Sequence, residues 1–280
     1  MRLVVFSKML KDLDVSGLIS LAHEHGFDGY DLCVRPGHPV NPDNVSMALV
    51  EAVRAMRGEG LEVPMLTGNF DLVTPDHPAA ELILAAMDRA DVRLLKLGYF
   101  HIDPHQQDYW TLVDEIRAAF EGWQRLAARY QVKVCYHTHS GAFMGLNCAA
   151  LMHLLQGLDP RYVGAYIDPG HMGVNGEDFP LGLAMVKRYL SAVAVKDVLL
   201  VREEADGRHG KAARHFVPAG QGMVDWTVVF AELARVGFTG PLSIHCEFEV
   251  PRESFMPTFA REIDFFRRQR DRALGQVRGD

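Results

Sequence analysis

Residues 132–197 read VKVCYHTHSGAFMGLNCAALMHLLQGLDPRYVGAYIDPGHMGVNGEDFPLGLAMVKRYLSAVAVKD. Three short apolar runs, Val132–His137, Val163–Asp168 and Ala192–Lys196, are separated by longer stretches that include the amphipathic CAALMHLLQGLD, and each run ends in polar residues. Strands that alternate with helices, all in one direction, give a parallel sheet with right-handed crossovers.

The same alternation runs outward to both ends of the chain. Leu3–Ser7, Gly29–Val34, Val63–Thr67 and Val92–Leu97 precede these three runs and Leu242–Glu247 follows them, so that eight strands are expected. Between them lie amphipathic stretches such as VSGLISLAHEHG, which stops at Gly26, YWTLVDEIRAAFEGWQRLAARY and WTVVFAELARVGF. Eight such units in about 250 residues predict one (β/α)8 TIM barrel over residues 1–280. A charged final helix, over about residues 253–276, is expected on the barrel exterior or at a subunit interface. An open doubly wound sheet is the alternative, but without GxGxxG its dinucleotide-binding version loses its main support. Irregular stretches follow strands two, three, four and seven. The longest, VLLVREEADGRHGKAARHFVPAGQG (198–222), is expected to be a solvated insertion or a lid.

With 29 basic against 36 acidic residues, the net charge of −7 argues against nucleic acid as a partner. A chain of 280 residues hides about three quarters of its unfolded surface and needs no structural metal or disulfide. Cys33, Cys135, Cys148 and Cys246 form no CxxC pair, and reduced thiols are expected. No stretch approaches the roughly 20 apolar residues of a membrane span, and the opening run is too short for a signal segment. A cytoplasmic protein with no membrane partner is expected. Trp110, Trp123 and Trp226 are read as core or interhelix packing, and Met144, Met172 and Met223 as filling near the barrel mouth.

The last four strands end in CYHTHSG, YIDPGHMG, VAVKDV and SIHCEFE. Side chains alternate along a strand, so His137 shares a face with His139 and His245 with Glu247, while Asp168 and Lys196 stand at equivalent heights. Imidazoles and carboxylates converging on an open barrel mouth suit a divalent transition metal such as Mn, Zn, Co or Fe. Each group also has a structural reading: a hydrogen-bonded histidine, a DPG turn, a Lys–Asp ion pair, a solvated glutamate. Their coincidence on one face favours a functional site. Arg35, His38 and Asn69, after strands two and three, and Lys96, Tyr99 and His101, around the end of strand four, are polar groups near the same mouth, read either as ligand-binding groups or as ordinary loop and barrel-wall packing.

VCYHTHSG, YIDPGHM, VKD, PAGQGMVDW and GPLSIHCEFE, in this order, resemble the xylose isomerase-like barrel superfamily, often labelled sugar phosphate isomerase/epimerase. Nearly the whole chain shares the likeness, FDGYDLCVRPG included. The group includes ketose 3-epimerases, hydroxypyruvate isomerases, inosose dehydratases and the endonuclease IV type of repair enzyme. The resemblance implies a single-metal site with Asp168 and Glu247 as ligands, His137 in place of the usual strand-five Glu, and His171 near a substrate oxygen. It also exposes a departure, because the strand-seven ligand, the His of HxKD, is Ala194 here.

The expectation is a divalent-metal-dependent isomerase or epimerase of a sugar, keto-sugar or cyclitol, acting through an enediolate, with metal at His137, Asp168 and Glu247. Glu247, Lys196 and His171 are the expected acid–base and oxyanion groups. Arg35, His38, Lys96, His139 and His245 are expected to hold the substrate. A dehydratase of the inosose dehydratase type uses the same enediolate step and is the alternative. A barrel that binds sugar without catalysis is a third reading, raised by Ala194, and a repair nuclease is disfavoured by the acidic balance. A homo-oligomer is compatible with the last helix.

Overall fold

The computed structural model describes residues 1–205 and 208–277. Ten strands follow in chain order: β1 (Arg2–Phe6), β2 (Gly29–Cys33), β3 (Glu62–Thr67), β4 (Leu94–Lys96), β5 (Lys133–His137), β6 (Val163–Ile167), β7 (Leu190–Val195), β8 (Asp197–Ala205), β9 (Arg208–Val217) and β10 (Pro241–Ile244). β1 to β7 and β10 close into a parallel barrel, in which β10 pairs with both β7 and β1. All eight expected strands are present, with ends displaced by up to three residues.

Short polar caps start the helices between them. Asp14 and Asp108 accept backbone N–H bonds from Gly17 and Thr111, and Asn147, Asp178 and Asp225 cap later helices in the same way. Gly26, at φ 65°, ends the first helix in the left-handed conformation that glycine adopts most cheaply. One buried layer inside the barrel, Met65, Leu94, Cys135, Tyr166, Ala192 and Ala194, is separate from the core between strands and helices. It is the apolar floor under the mouth.

The stretch after β7 differs from its expected irregular form: β8 and β9 pair as an antiparallel hairpin, with Asp197 opposite Val217. Val198 is buried and Leu199 partly exposed, the alternation of a strand with one covered face. The final helix, Phe255–Val277, packs on the barrel exterior. Its Phe266 meets Trp226 edge-on, its Phe259 meets Phe27, and Arg267 donates to the carbonyls of His25 and Gly26. Trp123 and Trp226 are buried as expected, whereas Trp110 is 58% exposed because its helix turns that face to solvent. Met144 and Met172 are buried, but Met223 is 46% exposed. Among the described residues no helix is long and apolar enough to cross a membrane.

Candidate active site

The cleft at the carboxyl ends of the strands is lined by Phe6, Lys8, Arg35, Lys96, Tyr99 and His137, and further by His139, Tyr166, Lys196, His245 and Glu247. Barrels of this kind carry their chemistry at this end. A larger cavity of about 670 Å³ opens at the opposite end, between Lys133, Lys187, Arg188 and Phe238, and contains none of the expected site residues.

Asp168, one residue beyond β6, lies at the centre. It caps the short helix Pro169–Val174 by accepting from the His171 N–H through Oδ1 (3.1 Å), and its own N–H donates to Thr138 Oγ1. Three groups face its Oδ2: His137 Nε2 at 3.4 Å, Lys196 Nζ at 3.4 Å and His171 Nε2 at 3.7 Å. Lys196 Nζ also donates to Glu247 Oε2 at 2.8 Å, and Lys8 Nζ takes the other oxygen of Glu247 at 2.5 Å. Phe216, from β9, sets its ring 4.6 Å from Lys196 Nζ.

These charges outweigh the burial that opposes them. Burial alone would push Lys196 toward its neutral form, but Glu247 and Asp168 hold its pKa above the ordinary value. Burial would raise the pKa values of Asp168 and Glu247, yet Lys196 drives both well below the carboxylate range. The three histidines go the other way. Burial, with Lys196 adding to it, keeps His137 and His171 neutral, and His139 is pushed down to about 3 by the same causes.

Hydrogen bonds assign the tautomers. Burial holds the Tyr99 hydroxyl protonated, and among the described residues its proton has one acceptor, His137 Nδ1, at 2.6 Å. Ser140 Oγ accepts from Arg214 Nη1, so its own proton goes to His171 Nδ1 at 2.8 Å. On this assignment each neutral ring carries its hydrogen on Nε2, which faces Asp168 Oδ2 at 3.4 and 3.7 Å without forming a hydrogen bond to it. His139 is reversed, because Nδ1–H donates to the Ser140 carbonyl (2.9 Å) and leaves the Nε2 lone pair free beside the cleft.

Asp197 explains why VKD and PAGQG belong together. Its carboxylate accepts from the N–H groups of Val198, Gly220, Gly222 and Val224, fixing the base of the β8–β9 hairpin. Only glycine fits at 222, where a Cβ would lie 2.1 Å from Asp197 Oδ1.

Most of the expected groups converge. His245 and Glu247 both line the cleft although the strand ends at Ile244: Glu247 N–H donates to the His245 carbonyl in a tight turn that turns both side chains inward. Lys96 is 2% exposed, its Nζ has no hydrogen-bond partner, and it sits 3.5 Å over the Tyr99 ring. Arg35 donates to the Gly68 carbonyl and stacks on Phe70. His38 is not brought to the cleft, because it lies against Cys33 Sγ. Asn69 bonds Asp71, and His101 packs on Phe143. Lys8, Phe6, Phe216 and Arg214 were not singled out from the sequence: they reach the mouth from a turn after β1, the end of β1 and the hairpin.

The expected ligands His137, Asp168 and Glu247 do not close into one donor shell. Lys196 stands between the two carboxylates, Glu247 is occupied by two ammonium groups, and Ala194 offers no donor. Among the described residues no group of three or more His, Cys, Asp or Glu donors is arranged to hold a metal ion. The donor set does not fit the metal that the resemblance implies.

A closed parallel barrel with a polar mouth of this composition defines a class, and a family profile makes it specific. The profile described as xylose isomerase-like TIM barrel matches residues 19–269, and the chain belongs to that family. Inosose dehydratase of Bacillus velezensis is 27% identical over 178 residues, which cover 60% of this chain and 57% of that protein. The chain thus matches less than three fifths of that relative's length. Among solved structures, a D-tagatose 3-epimerase-like protein superposes with a TM-score of 0.75 at 14% identity, over 99% of this chain and 100% of that one. A xylose isomerase-like TIM barrel protein from Mycobacterium smegmatis in complex with magnesium gives 0.69 at 16% identity, over 98% and 97%. These structures share the fold.

Proposed function

We propose that the chain is an enzyme that removes a proton next to the carbonyl of a small keto-sugar or keto-cyclitol and completes the reaction by eliminating water. The observation that carries this reading is the single-sided acid–base arrangement of the mouth. Epimerisation by proton return from the opposite face is served by two opposed bases. Here the carboxylate of Glu247 is neutralised by Lys8 and Lys196, and the place opposite is held by His137, a neutral imidazole whose Nε2 lies 3.4 Å from Asp168 Oδ2. His139 Nε2, beside the cleft, is the base taken here, since its lone pair is left free by the bond from Nδ1 to the Ser140 carbonyl. The dehydratase named among the relatives supports the same choice.

In this reading His139 takes the proton. Lys196, held charged by Asp168 and Glu247, stabilises the negative oxygen that forms, since a buried fixed charge acts where water cannot compete. The Nε2–H groups of His137 and His171 hold hydroxyls of the substrate, and Lys96 and Arg35 bind its far oxygens. Protonation of the leaving hydroxyl by Lys196 finishes the elimination. No step is routed through a metal ion.

A second reading, isomerisation or epimerisation, is favoured by one observation: His139, packed with its ring centroid 4.0 Å from that of His171, is a neutral base whose free Nε2 can take a proton from one carbon and return it to the adjacent one. Both readings begin with the same exchange. Folded protein incubated in deuterium oxide with a panel of ketoses, keto-sugars and inososes is expected to place deuterium next to a carbonyl, and NMR then distinguishes an unsaturated product from an epimer or isomer. Neither exchange nor product across the panel would sink the proposal.

A further inference from the structure

We infer that the Lys196 ammonium takes the place and the role of a divalent cation at this barrel mouth, so that the chain handles its substrate without a bound metal ion. The catalytic half of this statement rests on the proposed reaction; the metal-binding half stands on the site alone.

Four independent features support it. Strand β7 supplies no ligand, because Ala194 is wholly buried in the apolar floor with Tyr166 and Cys135. Glu247 has an ammonium on each oxygen, at 2.5 and 2.8 Å. The hydrogen bonds from Tyr99 to His137 and from Ser140 to His171 put hydrogens on the two Nε2 atoms that face Asp168, whereas a metal needs a lone pair there. Metal-bound histidines ordinarily donate their other N–H to an acceptor, and here hydroxyls donate to that nitrogen instead. Finally, a divalent ion bonds a carboxylate oxygen at about 2.0–2.2 Å. On Asp168 Oδ2 such an ion would have to share its oxygen with the Lys196 ammonium, itself 3.4 Å from that oxygen and covered by Phe216.

The exchange of a metal for a lysine changes the chemistry. An ammonium stabilises an oxyanion as a single positive charge, and, unlike a metal, it can also release a proton to that oxygen and recover it from the next species. The balance closes on the substrate, His139 and Lys196: His139 gains the proton from carbon, Lys196 gives one to the leaving hydroxyl, solvent returns the proton from the imidazolium to the amine, and no redox partner is needed.

The test is a metal titration that needs no substrate. Protein stripped with EDTA and dialysed is titrated with Mn²⁺, followed by the EPR signal of the free ion, and with Zn²⁺ by calorimetry. The same titrations are run on Asp168→Asn and, should that variant misfold, on His137→Gln. The expected result is no saturable binding that either substitution abolishes; ions bound equally by wild type and variant lie elsewhere and sustain the inference. One ion per chain bound by wild type and lost in a variant would overturn it. Where the exchange assay finds a substrate, EDTA should leave its rate unchanged, and a loss restored by metal would also overturn the inference. Absence of any turnover would count against the proposed reaction and leave the titration result standing.

Discussion

The two halves of the barrel mouth treat charge in opposite ways. On the side built from β5, β6, β7 and β10, every charge is answered: Lys196 by Asp168 and Glu247, Glu247 again by Lys8. On the side built from β2, β3 and β4, Lys96 and Arg35 form no ion pair among the described residues. Asp31, buried beneath them, is already engaged by the hydroxyls of Thr67 and Ser243, and burial raises its pKa. Burial, followed by the charge of Arg35, also drives the Lys96 pKa well down. A self-sufficient half is a machine part, present before any ligand arrives. In the proposed reaction, the half with unanswered donors is where the substrate supplies the missing oxygens.

Breaking the balanced half should have the largest effect. Lys196→Met leaves the buried carboxylate of Asp168 without an ammonium partner, and Glu247 with Lys8 alone, and is expected to cost about 3–5 kcal/mol in chemical denaturation, with loss of turnover. Stability equal to wild type would mean that the ion pairs are not formed. Next in size is His139→Gln, which keeps the shape and removes the base. A fall in kcat of roughly 10²–10⁴ with an unchanged melting temperature is expected, and a KM effect alone would move His139 to substrate binding.

Lys96→Met tests the open half. Because the amine has no partner to lose, denaturation should show stability equal to or above wild type. Substrate binding, by contrast, should weaken by up to about tenfold, the scale of one hydrogen bond from a neutral amine. Destabilisation instead would place an unseen partner on Lys96. The smallest effect is in pH. With the His139 pKa held at about 3, the base stays neutral through the ordinary imidazole range. The kcat profile should therefore be flat from pH 7 down to pH 5, and a decline centred near 6.5 would show that burial does not control this ring.

Much of this was legible in the sequence, for a physical reason. Barrel strands are set by local apolar runs and helix stops such as Gly26, and the residues that cap those runs sit at the mouth. His137, Asp168, Lys196 and Glu247 could thus be placed from spacing alone. The hairpin could not be told from a loop by composition, since it carries charged residues such as Arg202 and Glu203 that also suit a solvated insertion. The identity of the central cation was hidden for another reason. Which atom fills the space between Asp168 and Glu247 depends on the reach of a side chain across strands, and the family pattern pointed to a metal ligand at a position where this chain has Ala194. His38 was misplaced because proximity in sequence to Arg35 does not fix the direction of a loop side chain.

The hairpin is hung from Asp197, and Asp197 is the next residue after Lys196. One peptide unit joins the anchor of the cover to the charge beneath it, so a change in the tilt of the hairpin is transmitted by covalent geometry to both Phe216 and the ammonium that it shields. For protein engineering, this makes the β8–β9 segment an interchangeable part with one fixed hinge. Its outer residues can be randomised to alter which substrates enter, provided that Asp197, Gly220 and Gly222 are retained as the socket.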